Sequence, residues 1–319
     1  MPKEYFFEKM HGAGNDFIVI DARAADFSID LIKNNTARLC HRRTGIGADG
    51  ILMLDRSKKN DYSMHYLNAD GSEAGMCGNG ARCLAHFAFR HGFSSDVSFD
   101  VHGLTYQASV HNSYVSVQFP VDPKPLLKTI EGVIWCVVDA GTEHIVSIDK
   151  KNPDIPEEEL RQTGRRLRNR IDLFPHGTNV NFANVLDENR LELITYERGV
   201  EDLTLACGTG AIATAISWYF LKQQQGSHSG FSDIILPDTE LMDTLQEKSL
   251  LTSSGQTLTD PAVPEAEPVR KSEQHIQLDC PGGPLEVSFT VIPERDHPVY
   301  KNIVLHGPAV SVYNGKFVL

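Results

Sequence analysis

Along most of this chain apolar and polar residues alternate in short runs with the period of two that marks half-buried strands, and turns bearing glycine or proline separate the runs. Tyr5–Asp21, YFFEKMHGAGNDFIVID, reads as strand, glycine turn and strand, and Gly50–Leu54 and Asp61–Leu67 add two more. From Val97 to Pro120 the pattern continues in VSFDVHG, TYQASV and YVSVQFP. The proline-rich stretch Val121–Lys128, VDPKPLLK, reads as a crossover and marks a domain boundary. Strands resume in VIWCVVDAGTEHIVSI, in GTNVNFANVL and in LELITYERG. The end of the chain predicts a hairpin around Pro281–Pro284 and then two short strands in NIVLHGPAVSVYNGKFVL.

Helical spacing is confined to a few places. Ile29–Cys40 sets Leu31, Ile32, Ala37 and Leu39 on one face, and EEELRQTGRRLRN reads as a surface helix whose basic residues face water. Two further helices are apolar, and each begins at a cysteine. NADGSEAGMCGNGARC (Asn68–Cys83) and TLACGTGAIATAISWYF (Thr204–Phe220) both place CGxG at the helix front.

Glycines there let the backbone approach a ligand, and the helix start points unpaired N–H groups and the positive end of its dipole at that ligand. A thiol at such a place is expected to be acidic, drawn from about 8.5 toward neutrality. Two such starts in one chain predict two halves that face each other. A carboxylate held between them has its charge stabilised from both sides, and one sulfur can take a proton from the adjacent carbon while the other returns one to the opposite face. Inversion of a stereocentre follows. No lysine-bearing pyridoxal motif accompanies the pair, so the expected chemistry needs no cofactor.

At 319 residues the chain exceeds one typical domain and predicts two. The net charge of −12, with no basic block to offset it, argues against nucleic acid and against an anionic membrane surface, which leaves small molecules as partners. No run has the length of a membrane span or signal peptide, and six cysteines without a CxxC fit the reduced thiols of a cytoplasmic protein. From Lys222 to about Gln274 the composition turns polar and rich in Ser, Thr, Pro and Glu. It reads as a surface insertion without a catalytic part, carrying one short helix in ILPDTELMDTLQEKSLL.

Other residues are weighed against plainer roles. Asn15 in the GAGND loop can hold a polar ligand group, whereas Arg42 and Arg43 read as a solvated face or a structural ion pair. Cys83 reads as a small core residue, and Cys77, Cys83 and His86 lack the spacing of a structural zinc site, so no metal is expected. His144, after a glycine turn at a strand head, is expected near a thiol. Glu197 and Arg198 end a strand just before Cys207 and face opposite ways unless a turn at Gly199 redirects them.

Taken together, MHGAGNDF, RRTGIGADG, NADGSEAGMCGNGARC, GTNVNF, YERGVEDLTLACGTGA and HGPAVSVYNG resemble the diaminopimelate epimerase family, over nearly the whole chain apart from the insertion. The resemblance implies a pyridoxal-independent isomerase of lysine and peptidoglycan precursor synthesis that is often a homodimer. Its fold would be α/β (α+β): two similar domains, each a curved, mostly antiparallel sheet or barrel around a central helix, with the active site in the cleft between them. One domain would be residues 1–122 with 301–319 returning to it, and the other residues 123–300 with the insertion at about 223–274. Cys77 and Cys207 would be the acid/base thiols and His144 and Glu197 their orienting partners. Asn15, Asn68, Asn179 and Arg198 would hold the distal end of the substrate, and the backbone of Gly78, Asn79, Gly208 and Thr209 its reacting carboxylate.

Two departures bear on substrate choice. Gly141–His144 reads GTEH where the family usually has GNPH, so Thr142 and Glu143 replace a substrate-binding Asn and a Pro. GVEDLT replaces the usual GVGET, so Glu201 and Asp202 bring negative charge toward Arg198. A racemase of another amino acid uses the same thiols, and a redox-sensing thiol pair is the alternative from a different class.

Overall fold

The computed structural model describes residues 3–149, 155–224, 271–294 and 298–319. The polar stretch at about 223–274, with its expected helix, lies outside the described residues except at its ends. In the first half β1 (Glu4–Gly12) and β2 (Asn15–Asp21) precede α1 (Ile29–Cys40), and β3 (Gly50–Asp55) and β4 (Tyr62–Asn68) precede α2 (Gly78–Arg90). Then come β5 (Asp96–Val101), β6 (Leu104–His111) and β7 (Tyr114–Phe119). The second half opens with β8 (Leu126–Ile130), β9 (Val133–Asp139) and β10 (Glu143–Asp149), followed by α3 (Glu157–Arg168), β11 (Asn179–Asp187), β12 (Arg190–Glu197) and β13 (Asp202–Thr204). α4 (Gly208–Gln224), β14 (Ser272–Cys280), β15 (Gly283–Ile292), β16 (Val299–Pro308) and β17 (Val310–Val318) complete it.

The register of the strands reveals an internal repeat. Outward to inward, one half runs β17, β1, β2, β3, β4, β5, β6, β7 and the other β8, β9, β10, β11, β12, β14, β15, β16. Parallel pairs fall at the same steps in both: β2–β3 matches β10–β11, and β4–β5 matches β12–β14. A parallel step needs a crossover, and each one here is a helix: α1 and α2 in one half, α3 and α4 in the other. The antiparallel pair β7–β16 joins the halves into one hydrogen-bonded sheet, and no pairing joins β17 to β8 among the described residues. The sheet is therefore open, not a closed barrel. Each half is finished by the strand that leaves the other: β8 follows β7 into the second half, and β17 follows β16 back to β1.

Burial explains the helices' places. The apolar helices α2 and α4 enter one continuous core that spans both halves, while α1 and α3 cover separate small cores on the outside. Ser28 caps α1 by accepting the Leu31 N–H at 3.2 Å. α3 has Glu157, Glu158 and Glu159 in its first turn and arginines in its last, which suits its dipole. Among the described residues no helix is long and apolar enough to cross a membrane.

Three expectations need correcting. Leu126–Ile130, partly read as linker, is strand β8, paired with β9. The last two strands are long, at ten and nine residues, because β16 must bridge the halves and β17 must span β1. The arginines of α3 do not simply face water: Arg161 pairs with Asp202 at 2.7 Å, Arg166 with Glu131 at 3.0 Å and Arg168 with Glu201 at 2.9 Å.

Candidate active site

Cys77 is the N-cap of α2. Its backbone is extended (φ −117°, ψ 115°), its Sγ accepts the Gly80 N–H at 3.4 Å and its carbonyl accepts the Ala81 N–H at 2.8 Å. The thiol donates to Asn15 Oδ1 at 3.7 Å, and Asn15 Nδ2 is held by Asp49 at 2.8 Å. Arg42 fastens this loop by pairing with Asp16 at 2.8 Å and Asp49 at 2.6 Å. Burial raises the Asp16 carboxyl, but the hydrogen bonds from Arg42 and Lys9 outweigh it and hold Asp16 well below the usual range. Arg42 is thus the structural ion pair its sequence context suggested.

Cys207 repeats the device at α4, where its Sγ accepts the Gly210 N–H at 3.4 Å. Its sulfur lies 3.5 Å from Thr209 Oγ1, and the Glu197 carboxyl stands near Cys207 and Thr204, both of which favour its ionised form. Glu197 reaches this place because the chain turns after it: the Glu201 N–H returns to the Glu197 carbonyl at 2.9 Å, with Gly199 (φ +95°) supplying the turn.

His144, fully buried, lies behind Thr209. Its Nε2 is 3.0 Å from both Thr142 Oγ1 and Thr209 Oγ1, and its Nδ1 is 3.0 Å from Asn181 Nδ2. Asn179 donates to Thr142 Oγ1 at 3.3 Å and accepts the Arg198 N–H at 2.9 Å, so these loops form one network. The Arg198 guanidinium donates to the His176 carbonyl at 2.9 Å and has no acidic partner among the described residues.

The two cysteine caps meet at the seam between the halves. A Cβ built on Gly78 would lie 3.5 Å from Gly208 Cα and 2.7 Å from Leu305 Cδ2, so the helix starts approach closely here and a side chain at Gly78 would have to displace Leu305. Asn79 ties them together by donating to the Ala206 carbonyl at 2.9 Å. Behind Asn79 stands the buried guanidinium of Arg82, which donates to Asn79 Oδ1 at 2.7 Å, to Gly78 O at 3.3 Å and to Pro308 O at 3.4 Å. Its partners among the described residues are oxygens with no formal charge, so α2 carries an unneutralised buried cation just below Cys77.

Neither thiol is acidic as the helix starts alone would make it. Burial pushes Cys77 up to about 11, against the Gly80 N–H that favours its thiolate, and burial with the Glu197 charge pushes Cys207 well above the ordinary value. The enclosed cleft outweighs the helix termini. The same burial raises Glu197 to about 7 and lowers His144 to about 3, so His144 is neutral at physiological pH.

The residues expected at the site divide into three sets. Thr142, His144, Asn179, Arg198, Cys207, Thr209 and Glu197 are linked around α4, while Asn15, Cys77 and Asn79 are linked around α2, and Gly78 touches Gly208. Asn68, at the end of β4, donates to Ser72 at 3.0 Å and has no side-chain hydrogen bond to either set. Glu201 and Asp202 do not bring charge to Arg198, because α3 neutralises both. Sequence reasoning missed Asn181, Thr195, Arg82 and Leu305. Two of these left a signal: Asn181 is two residues from Asn179 on the same face of a strand, and Arg82 interrupts the apolar face of α2.

Two cysteine-capped helices thus meet start to start at the seam between the halves. A family model described as diaminopimelate epimerase matches residues 7–117 and 136–229. The chain belongs to the diaminopimelate epimerase family. A diaminopimelate epimerase of Chlorobaculum tepidum is 39% identical over 223 residues, covering 68% of this chain and 85% of that protein. One from Flavobacterium psychrophilum is 31% identical over 315 residues, 96% of this chain and 97% of the other. In fold the chain is similar to a hydroxyproline epimerase of Agrobacterium vitis (TM-score 0.59, 12% identity, 99% and 93% of the chains). It is also similar to a phenazine biosynthesis protein of the PhzF family from Bacillus anthracis (TM-score 0.60, 10% identity, 99% and 100% of the chains).

Proposed function

We propose that this protein interconverts LL- and meso-diaminopimelate by removing the proton from one α-carbon with one thiol and returning a proton to the opposite face with the other. The observation that supports this reading is the close approach of Gly78 and Gly208, the residues that follow Cys77 and Cys207 at the two helix starts.

The reacting carboxylate binds the N–H groups of Gly78, Asn79, Gly208 and Thr209 at the two helix starts, which stabilise the charge that grows on it as the α-proton leaves. Ionised Glu197, next to Cys207, accepts the proton of that thiol. The Cys207 thiolate takes the α-proton, and the Cys77 thiol gives its own to the other face. In the reverse direction the Cys77 thiolate takes the proton and the Cys207 thiol donates, so the cycle balances with one thiolate throughout. Thiols of high pKa suit this chemistry, because a strongly basic sulfur is needed against a weakly acidic C–H and neither needs to be ionised before substrate enters. Arg198 is the cation available for the distal carboxylate, with Asn15, Asn68 and Asn179 completing that end. Thr142 takes the place of an asparagine there through its hydroxyl.

Proton NMR of the reduced protein in D2O with LL-diaminopimelate, beside glutamate, lysine, histidine and proline, tests the reading. Deuterium at one α-position with meso product, lost in Cys77→Ala and Cys207→Ala, is expected. Exchange on a different amino acid alone overturns the substrate, and no exchange on any overturns the activity.

A further inference from the structure

Asn181 lies on β11, 0% exposed, and makes no hydrogen bond to either thiol. Its amide is oriented without ambiguity. Nδ2 lies 3.0 Å from the Ile145 carbonyl, which can only accept, and Oδ1 takes the Thr195 hydroxyl at 2.9 Å. The same Nδ2 lies 3.0 Å from His144 Nδ1, which must therefore be the unprotonated ring nitrogen. A neutral ring then carries its proton on Nε2, which faces Thr142 Oγ1 and Thr209 Oγ1, each at 3.0 Å, so neither hydroxyl donates to the ring. A Thr209 oxygen that accepts from His144 is left to donate its own hydrogen, and Cys207 Sγ lies 3.5 Å away.

We propose that Asn181, held by Thr195 and Ile145, is a positioning residue that fixes the His144 tautomer and thereby turns the Thr209 hydroxyl hydrogen onto Cys207 Sγ. The sulfur then receives two donors, Thr209 and the Gly210 N–H, when it is a thiolate. With the other tautomer, Nε2 would accept the Thr209 hydrogen and the thiolate would lose a donor. The neutral state of His144 agrees with this arrangement, since burial holds its pKa near 3. The proposal rests on the two-thiol reading of Cys207.

Two measurements test it, and neither needs substrate. In 15N-labelled protein at pH 7, two-bond 1H–15N spectra report the tautomer of each ring, and His144→Gln identifies the His144 signal among the 13 histidines. The Nε2–H pattern is expected, and an Nδ1–H pattern or an imidazolium overturns the proposal. In a Cys77→Ala background, iodoacetamide alkylation of Cys207 is expected to slow about tenfold or more in Asn181→Leu and Thr209→Val, the scale of one hydrogen bond to a charged group, while Thr209→Ser keeps the rate. Asn181→Leu is also expected to show a mixture of His144 tautomers and, with both cysteines present, a lower kcat at unchanged KM. Wild-type alkylation in Thr209→Val, or a wild-type tautomer and alkylation rate in Asn181→Leu, overturns the proposal. If the tautomer and alkylation results hold but diaminopimelate is not epimerised, the substrate reading fails and the positioning role stands.

Discussion

Gly78 and Gly208 touch across the seam of the molecule: a Cβ added to Gly208 lies 3.3 Å from Gly78 Cα and 2.8 Å from Leu305 Cδ2. The first helical residue of α2 and that of α4 thus pack directly against each other where the two halves meet, and neither has a side chain to hold the helix starts apart. Gly208→Ala is expected to force the helix starts apart. Because the clash is partly with backbone, repacking of Leu305 does not relieve it. The expected cost is about 1–3 kcal/mol of stability by urea denaturation, with kcat falling at least about tenfold, because proton transfer is sensitive to misplacement on the ångström scale.

Glu197 must be ionised to accept the Cys207 proton, and its pKa near 7 places the acid limb of the rate profile there. Activity is expected to rise with pH through about 7. Glu197→Gln should lower kcat by about 100-fold or more and remove that limb. A limb at the same pH in the variant would assign the titration to a different group.

His144 and Glu197 act on stability with opposite signs. His144, depressed from 6.5 to about 3, contributes stability that is present above pH 6.5 and lost as the pH falls toward 3. Glu197, raised from 4.5 to about 7, contributes stability that is present below pH 4.5 and lost as the pH rises toward 7. Each full window corresponds to a contribution on the order of 3–5 kcal/mol, and the two largely cancel between pH 4.5 and 6.5. Relative to the wild type, urea midpoints of His144→Gln are expected to rise as the pH falls through this range, and those of Glu197→Gln to fall.

Arg82 gives Cys77 a buried positive neighbour and donates to two oxygens at the α2 start and to the Pro308 carbonyl at the end of β16. Arg82→Met should destabilise the fold by about 2–4 kcal/mol by leaving Asn79 Oδ1 and the Gly78 carbonyl without their donor. It should also raise the Cys77 pKa. The pH dependence of Cys77 alkylation in a Cys207→Ala background reads this directly, and an unchanged or lower apparent pKa counts against an electrostatic role.

Arg198 and Arg168 lie near the same turn and should respond differently. Arg168 forms a partly buried pair with Glu201, and Arg168→Ala is expected to cost about 1 kcal/mol and to leave KM within about twofold. Arg198→Ala, which removes the cation without an acidic partner among the described residues, is expected to raise KM for diaminopimelate by about tenfold or more. Equal effects of the two would place the distal-carboxylate site elsewhere.

Much of the site could be read from the chain because it is local. CGNG and CGTG write a glycine turn and a helix start into four residues, and a cysteine at the N-cap follows from that spacing without reference to the rest of the molecule. The strands of Tyr5–Asp21, the helix Ile29–Cys40 and the apolar helices after each thiol were legible for the same reason. Leu126–Ile130 was not, since Pro123 and Pro125 just before it advertised a crossover, whereas its strand character shows only in its pairing with β9. Asn181 was hidden because one polar residue on a buried strand face means nothing until the facing ring is known.

The sequence by itself determined that two thiols would each sit at the front of a helix with free N–H groups nearby, because capping and helix periodicity act over a few residues. Only the tertiary structure decided that the two starts touch, since that depends on β7 pairing with β16 and on Leu305 filling the seam. It also decided the charge states. A helix terminus acts within one turn and favours the thiolate, whereas desolvation depends on everything packed around the cleft, and here it raises both thiols and Glu197 and keeps His144 neutral.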